Sequence, residues 1–306
     1  MPAPRISRRT LRVASTLSLA LGTGLAASVA LPASAGAATA PAVASRGDGG
    51  RWIEYTAAPG QRNKATITAT VADDLHFTYL IDDVVPITIE SGTSCTRPDS
   101  ADLTKISCTQ TGQGIDFGYL KLRMDFGDGD DSATYINNTG QSLYHAWLLM
   151  GDGKDTATDK GSVDGNQVEG GPGADTLTVG TDAIAFGQAG KDLITADAGS
   201  EVAAGSDSDT VHANGDGTRA DGGTGNDFLY GGPGGQILSG GIDSGKDTIR
   251  GGTGNDTIYG EPGADILYGN SGNDTIHGNS GNDKLYGGPG RDTLSGGPGS
   301  NVVHQD

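Results

Sequence analysis

Aromatic residues make up only 5% of this 306-residue chain, which holds 2 cysteines, 3 methionines and 2 tryptophans. With apolar residues at 34% and 53 glycines, it lacks the material for the interior of a large globular domain. A thin, repetitive core is the expectation. Basic residues are short as well, 20 against 38 acids, for a formal charge of −18. That balance repels nucleic acid and anionic membranes and attracts divalent cations. Long apolar runs are missing after residue 30, so no later segment can span a bilayer. No stretch carries the 3.6-residue periodicity of an amphipathic helix, which leaves an all-β chain.

The one long apolar stretch, Val13 to Ala30, follows Arg5, Arg8, Arg9 and Arg12 and precedes Ala33-Ser34-Ala35. A basic start, an apolar middle and a small-residue cleavage site together describe a secretory signal peptide over residues 1–35. The mature chain then starts near Gly36, carries −22 and is secreted to the extracellular space. An uncleaved membrane anchor is the alternative, although Gly22 and Gly24 dilute the stretch. In an exported chain, an even cysteine count points to a Cys95–Cys108 disulfide closing a short loop, worth roughly 3 kcal/mol in the loop-entropy model. No further Cys or His stands at a spacing that would make these cysteines a metal site.

What the chain has in abundance is a nine-residue repeat, Gly-Gly-x-Gly-x-Asp-x-aliphatic-x. Five copies run from Gly251 to Ser295: GGTGNDTIY, GEPGADILY, GNSGNDTIH, GNSGNDKLY and GGPGRDTLS. Asp256, Asp265, Asp274, Asp283 and Asp292 fall nine apart, each followed two residues later by Ile or Leu. Asp175, Asp192, Asp209 and Asp227 follow at intervals of 17, 17 and 18, which is two nonapeptides per coil of a solenoid. Every second repeat then stacks on the same edge. One edge carries Asp175, Asp192, Asp209, Asp227, Asp247, Asp265 and Asp283. The other runs back from Asp292, Asp274 and Asp256 to Gln236, Arg219 and Glu201, where Arg219 would exclude a cation. Ile242-Asp243 is an insertion expected to bulge outward. Gly127 to Asp131 and Gly151 to Thr156 look like worn copies of the turn.

Residues 36–50 form a Gly/Ala-rich stretch expected to be a flexible linker, and 51–160 a β-rich lead-in with period-two runs at Ala65–Val71, Phe77–Ile81, Val84–Ile89 and Tyr119–Met124. Residues 161–306 form the repeat region. Calcium is a hard cation that takes six to eight oxygens, and an Asp at position six plus the carbonyls of a glycine turn offer that donor type. The candidate ligands are the ten aspartates from Asp175 to Asp292 named above. Beside them stand the turn glycines Gly251, Gly254, Gly260, Gly263, Gly269, Gly272, Gly278, Gly281, Gly287 and Gly290.

Over Gly170 to His304 the chain resembles the RTX, or haemolysin-type, calcium-binding repeat proteins. The resemblance implies a parallel β-roll, a form of β-helix solenoid, with several calcium ions held between adjacent turns. It also implies that Leu229, Ile249, Ile258, Leu267, Ile276, Leu285 and Leu294 form the core. The lead-in is similar, more weakly, to that of secreted actinobacterial proteins of this type. Relatives that are toxins or proteases add a pore-forming or catalytic domain, and no such motif stands here. Gly240 to Lys246 has P-loop spacing, but Asp247 replaces the Ser/Thr. None of His76, His145, His212, His277 or His304 opens an H-E-x-x-H motif, and Gly269-Asn270-Ser271-Gly272 lacks the spacing of a nucleophile elbow.

The resulting expectation is a secreted, non-enzymatic protein that binds calcium and folds with it. A second reading is a calcium-dependent adhesion or glycan-binding module for an extracellular polysaccharide or cell surface. It rests on Tyr230, Arg250, Tyr268, Tyr286 and His304, whose spacing stacks them as an outward row; cross-strand packing explains the same row. A third is a polysaccharide-modifying enzyme with its catalytic groups in residues 51–160.

Overall fold

The computed structural model describes residues 40–47, 50–73, 76–111, 121–140, 146–161 and 165–305. The segment 1–35, expected to be a signal peptide, lies outside them, as do Tyr119, Leu120 and His145. Residues 39–306 form one compact unit. Among the described residues there is no α-helix, and no helix long and apolar enough to cross a membrane.

Short segments such as Thr176–Val179, Thr248–Thr253 and Thr257–Tyr259 pair an inward aliphatic with outward Thr or Tyr, the alternation that suits a half-buried strand. Gly-rich turns separate them before a third inward residue can be added. Each coil therefore contributes one short strand to each of two sheets. Among the described residues the sheets hold 13 and 14 strands, and pairing is parallel from Trp52–Thr56 and Lys64–Asp73 to the last coil. In the 14-strand sheet, Ile249 pairs with Leu267 and Leu267 with Leu285. In the 13-strand sheet, Leu238 pairs with Ile258 and Ile258 with Ile276. These inward rows are fully buried between the sheets. Leu294 is only partly buried because its strand, Thr293–Ser295, is the terminal one of its sheet and is covered on one side alone.

Parallel coiling reaches much further upstream than the readable repeats. Ile53–Thr56 pairs with Leu122–Asp125, and Lys64–Ala69 with Ser132–Asn137. The upstream coils have a bulkier interior, with Tyr55, Met124, Phe126, Tyr135, Leu148 and Met150 all buried. Antiparallel strands close this end. His76–Asp82 and Lys105–Thr111 extend the 14-strand sheet, and the disulfide joins Cys95 to its cross-strand partner Cys108. The stretch expected as a flexible linker contains the strand Ala42–Gly47, antiparallel to Trp52–Thr56. Its Ala42 and Ala44 are small enough to fit under the sheet end, and both are fully buried. Ile242 is 84% exposed, as expected of the inserted turn.

Candidate metal-binding edges

Each aspartate of the repeat stands immediately before a strand, so the register of the sheet stacks these residues coil on coil. On the first edge, the backbone N–H of Asp175 donates to Oδ1 of Asp192 at 2.9 Å, and that of Asp192 to Asp209 at 2.8 Å. The pattern continues through Asp227, Asp247, Asp265 and Asp283, then ends with the Asp283 N–H on Oδ1 of Asn301. On the second edge Gln236, Asp256 and Asp274 donate in the same way to Asp256, Asp274 and Asp292. One carboxylate oxygen per turn is thereby committed to holding the preceding coil.

The other oxygen is left over. Oδ2 of Asp175, Asp192, Asp209, Asp227, Asp265 and Asp283 is buried without a hydrogen-bond partner, and so is Oδ2 of Asp256, Asp274 and Asp292. An unpaired charge in such a place is costly, and the group responds by shifting its pKa. Burial, reinforced by neighbouring aspartates, pushes Asp209, Asp247 and Asp265 up to about 7. It pushes Asp192, Asp227 and Asp256 up to about 6, and raises Asp175, Asp274 and Asp283 as well.

Backbone carbonyls line the same turns. A methyl group at Gly272 would overlap the carbonyl oxygen of Gly254, and one at Gly281 that of Gly263. With φ at 142°, Gly272 also holds a conformation that other residues rarely adopt. Gly254, Gly263 and Gly290 meet carbonyls of the preceding coil in the same manner, and Gly251, Gly260, Gly269, Gly278 and Gly287 face the Oδ2 of their own aspartate. Among the described residues no three His, Cys, Asp or Glu side chains converge on a metal position, so backbone oxygens have to complete any shell. The donor set is all oxygen, with one carboxylate per turn, which fits calcium and does not fit a softer metal.

Residues 212–244, 242–276 and 268–303 match the family described as the RTX calcium-binding nonapeptide repeat (4 copies). These coils resemble RTX repeats. No curated protein matches the chain. The RTX match begins downstream of the first stacked aspartates, at residue 212.

Upstream of Asp256, the second edge departs from the sequence-based assignment. The carboxylate position there belongs to Thr218 and Ser200, not to Arg219 and Glu201, since Arg219 pairs with Ile237 and Glu201 with Arg219 along the outer face. Positive charge is not what displaces a cation at these turns. Gln236 Nε2 donates to the carbonyls of Gly215 and Pro233 at 3.1 and 3.0 Å. Thr218 donates to Asp197 O at 3.0 Å, and Ser200 to Gly180 O at 2.7 Å. Neutral donors thus occupy carbonyls that a cation would otherwise engage.

The stacking also extends beyond the aspartates named from the repeat: Asp155 donates its N–H to Asp175, and Asp131 to Asp155. The worn turns at 127–131 and 151–156 were the signal for them in the sequence.

On the outer face of the 14-strand sheet the expected row is present and one member longer. His212 stacks on Tyr230 at 5.0 Å, Arg250 lies between Tyr230 and Tyr268, and Tyr268, Tyr286 and His304 continue it at 4.9 and 5.1 Å. Neighbouring rings are within 15° of parallel, so each uses its faces on the next. That arrangement is cross-strand packing, worth about 0.5–1.5 kcal/mol per pair.

Proposed function

We propose that the chain is a secreted, non-enzymatic calcium-binding protein whose folding is coupled to the binding of several calcium ions along its two edges. The observation that carries this reading is the row of buried Oδ2 atoms without partners beside turn carbonyls. Calcium, when bound, supplies the positive charge these oxygens lack. The chain's own residues do the rest: glycine turns bring carbonyls close, and each Oδ1 fixes its aspartate against the adjacent coil. Without cations the stacked carboxylates repel and remain desolvated, so binding free energy becomes folding free energy. Low calcium before export would keep the chain unfolded, and extracellular calcium would fold it.

Far-UV circular dichroism of the chain from Gly36, titrated with calcium and with magnesium, tests this. A cooperative, calcium-selective gain of β structure is expected. Complete β structure in chelator would refute the coupling. The glycan-binding alternative has less support, because the aromatic faces on which a sugar would stack are taken up by neighbouring rings.

A further inference from the structure

We propose that the cation row of the first edge continues upstream of the RTX repeats, through Asp155 and Asp131, and ends at Asn63. Hard divalent cations of the calcium type would be held between these coils. The inference rests on the calcium reading above and assigns sites to a region that the repeat pattern does not reach.

Four observations place it there. Asp131 and Asp155 are 3% and 0% exposed. Their Oδ1 atoms accept the N–H groups of Asn63 and Asp131, at 2.6 and 2.7 Å, just as in the repeats. Their Oδ2 atoms are buried without a partner, and so is Oδ1 of Asn63. A column of carbonyls runs beside them: a methyl at Gly129 would overlap Gln61 O, one at Gly153 would overlap Gly129 O, and one at Gly173 would overlap Gly153 O. Unpartnered side-chain oxygens in successive coils, alongside a carbonyl column, make an all-oxygen donor set.

Outer groups hold these turns in shape. Asp128 accepts from Gly60 N at 2.6 Å, and Asp130 accepts from Lys154 N at 3.1 Å and pairs with Arg62 at 3.0 Å. The repeat pattern fails here because Phe126 and Met150 replace the first glycine, and both are fully buried in the interior. Asn63 closes the row. Its Nδ2 donates to Tyr55 Oη at 2.8 Å and to Asp83 Oδ2 at 2.9 Å, while Asp83 also accepts from the Tyr55 hydroxyl, Lys64 N and Val84 N. Asp83 is therefore satisfied by protein donors, and the cation row has an end.

Native mass spectrometry of the full mature chain at saturating calcium tests the assignment. The double variant Asp131→Asn, Asp155→Asn keeps an Oδ1 acceptor in each coil, as Asn301 does for Asp283. It should bind about two fewer calcium ions than the wild type. An unchanged ion count in a folded variant overturns the inference. A wild type that binds no calcium overturns instead the functional reading on which it rests. Should the double variant not fold, hydrogen exchange on the wild type decides: amides of 127–131 and 151–155 should gain protection from calcium over the same range as 251–292. Protection there that ignores calcium overturns the proposal.

Discussion

The two edges of this solenoid solve the same stacking problem with different chemistry. On the first edge a carboxylate holds every coil from Asp131 to Asp283. On the second edge Asn166, Ala183, Ser200, Thr218 and Gln236 take the equivalent position, and among the described residues aspartates appear there at Asp256, Asp274 and Asp292 alone. On the first edge each carboxylate accepts a backbone N–H from the coil before, and on the second edge Asn166 and Ser200 accept from Ala146 N and Ala183 N in the same way. The difference lies in what the rest of the side chain does. Asp leaves an anionic oxygen that needs a cation, whereas Ser200, Thr218 and Gln236 turn a donor onto the turn carbonyls. A neutral donor satisfies turn carbonyls without a cation, whereas a carboxylate leaves a buried anionic oxygen unpaired.

Removing calcium should open the widest gap between regions. Coils 251–304 carry aspartates on both edges and a slender Ile/Leu core, whereas the upstream end has bulky aromatics and a disulfide. In chelator, hydrogen exchange should show residues 251–304 unprotected while 64–108 retain protection. Next in size is Gly272→Ala, which drives a methyl into the Gly254 carbonyl at a positive φ. A loss of about 3 kcal/mol or more in calcium-saturated denaturant melts is expected.

The second edge can be converted toward the first. Gln236→Asp removes the amide donor and introduces a carboxylate below Asp256, so the variant should take up about one more calcium ion and lose about 1–3 kcal/mol in chelator. Native mass spectrometry and paired melts check both arms. Proton binding can substitute in part for metal. Asp155, Asp209, Asp247 and Asp265 have pKa values raised from 3.8 to about 7 by burial, so the metal-free fold binds more protons than the unfolded chain between those values. Its stability is greatest below pH 3.8 as far as these groups are concerned, and is lost as pH rises to about 7. In chelator, β content at pH 5 should exceed that at pH 7.5. The smallest effect is expected for Tyr286→Ser, which breaks two ring contacts at a cost of about 1–2 kcal/mol and should leave the calcium count unchanged.

Much of this was legible in the residues. Asp and aliphatic positions in fixed register gave the coil, both edges from Asp256 onward, and the inward row through Leu285, because a nine-residue period leaves few ways to stack. Where that period loosens, counting fails. Coil spacing varies from 17 between Asp192 and Asp209 to 20 between Asp227 and Asp247, so a backward count along the second edge, with no aspartate to anchor it, landed one residue late on Arg219 and Glu201. The strand Ala42–Gly47 was hidden because Gly/Ala-rich sequence has low strand propensity, and only an open sheet end supplies its partner.

The sequence by itself determined the repeat, the cation chemistry of its turns and the all-β character, since each follows from local residue types at a fixed interval. Tertiary structure alone decided which oxygen of each aspartate is spent on the neighbouring coil and which is left for a cation. It also decided that the carboxylate row reaches Asp131, and that neutral donors stand in for it at Thr218 and Gln236. These are contacts between coils 17 to 24 residues apart, and strand register in the folded sheets sets them.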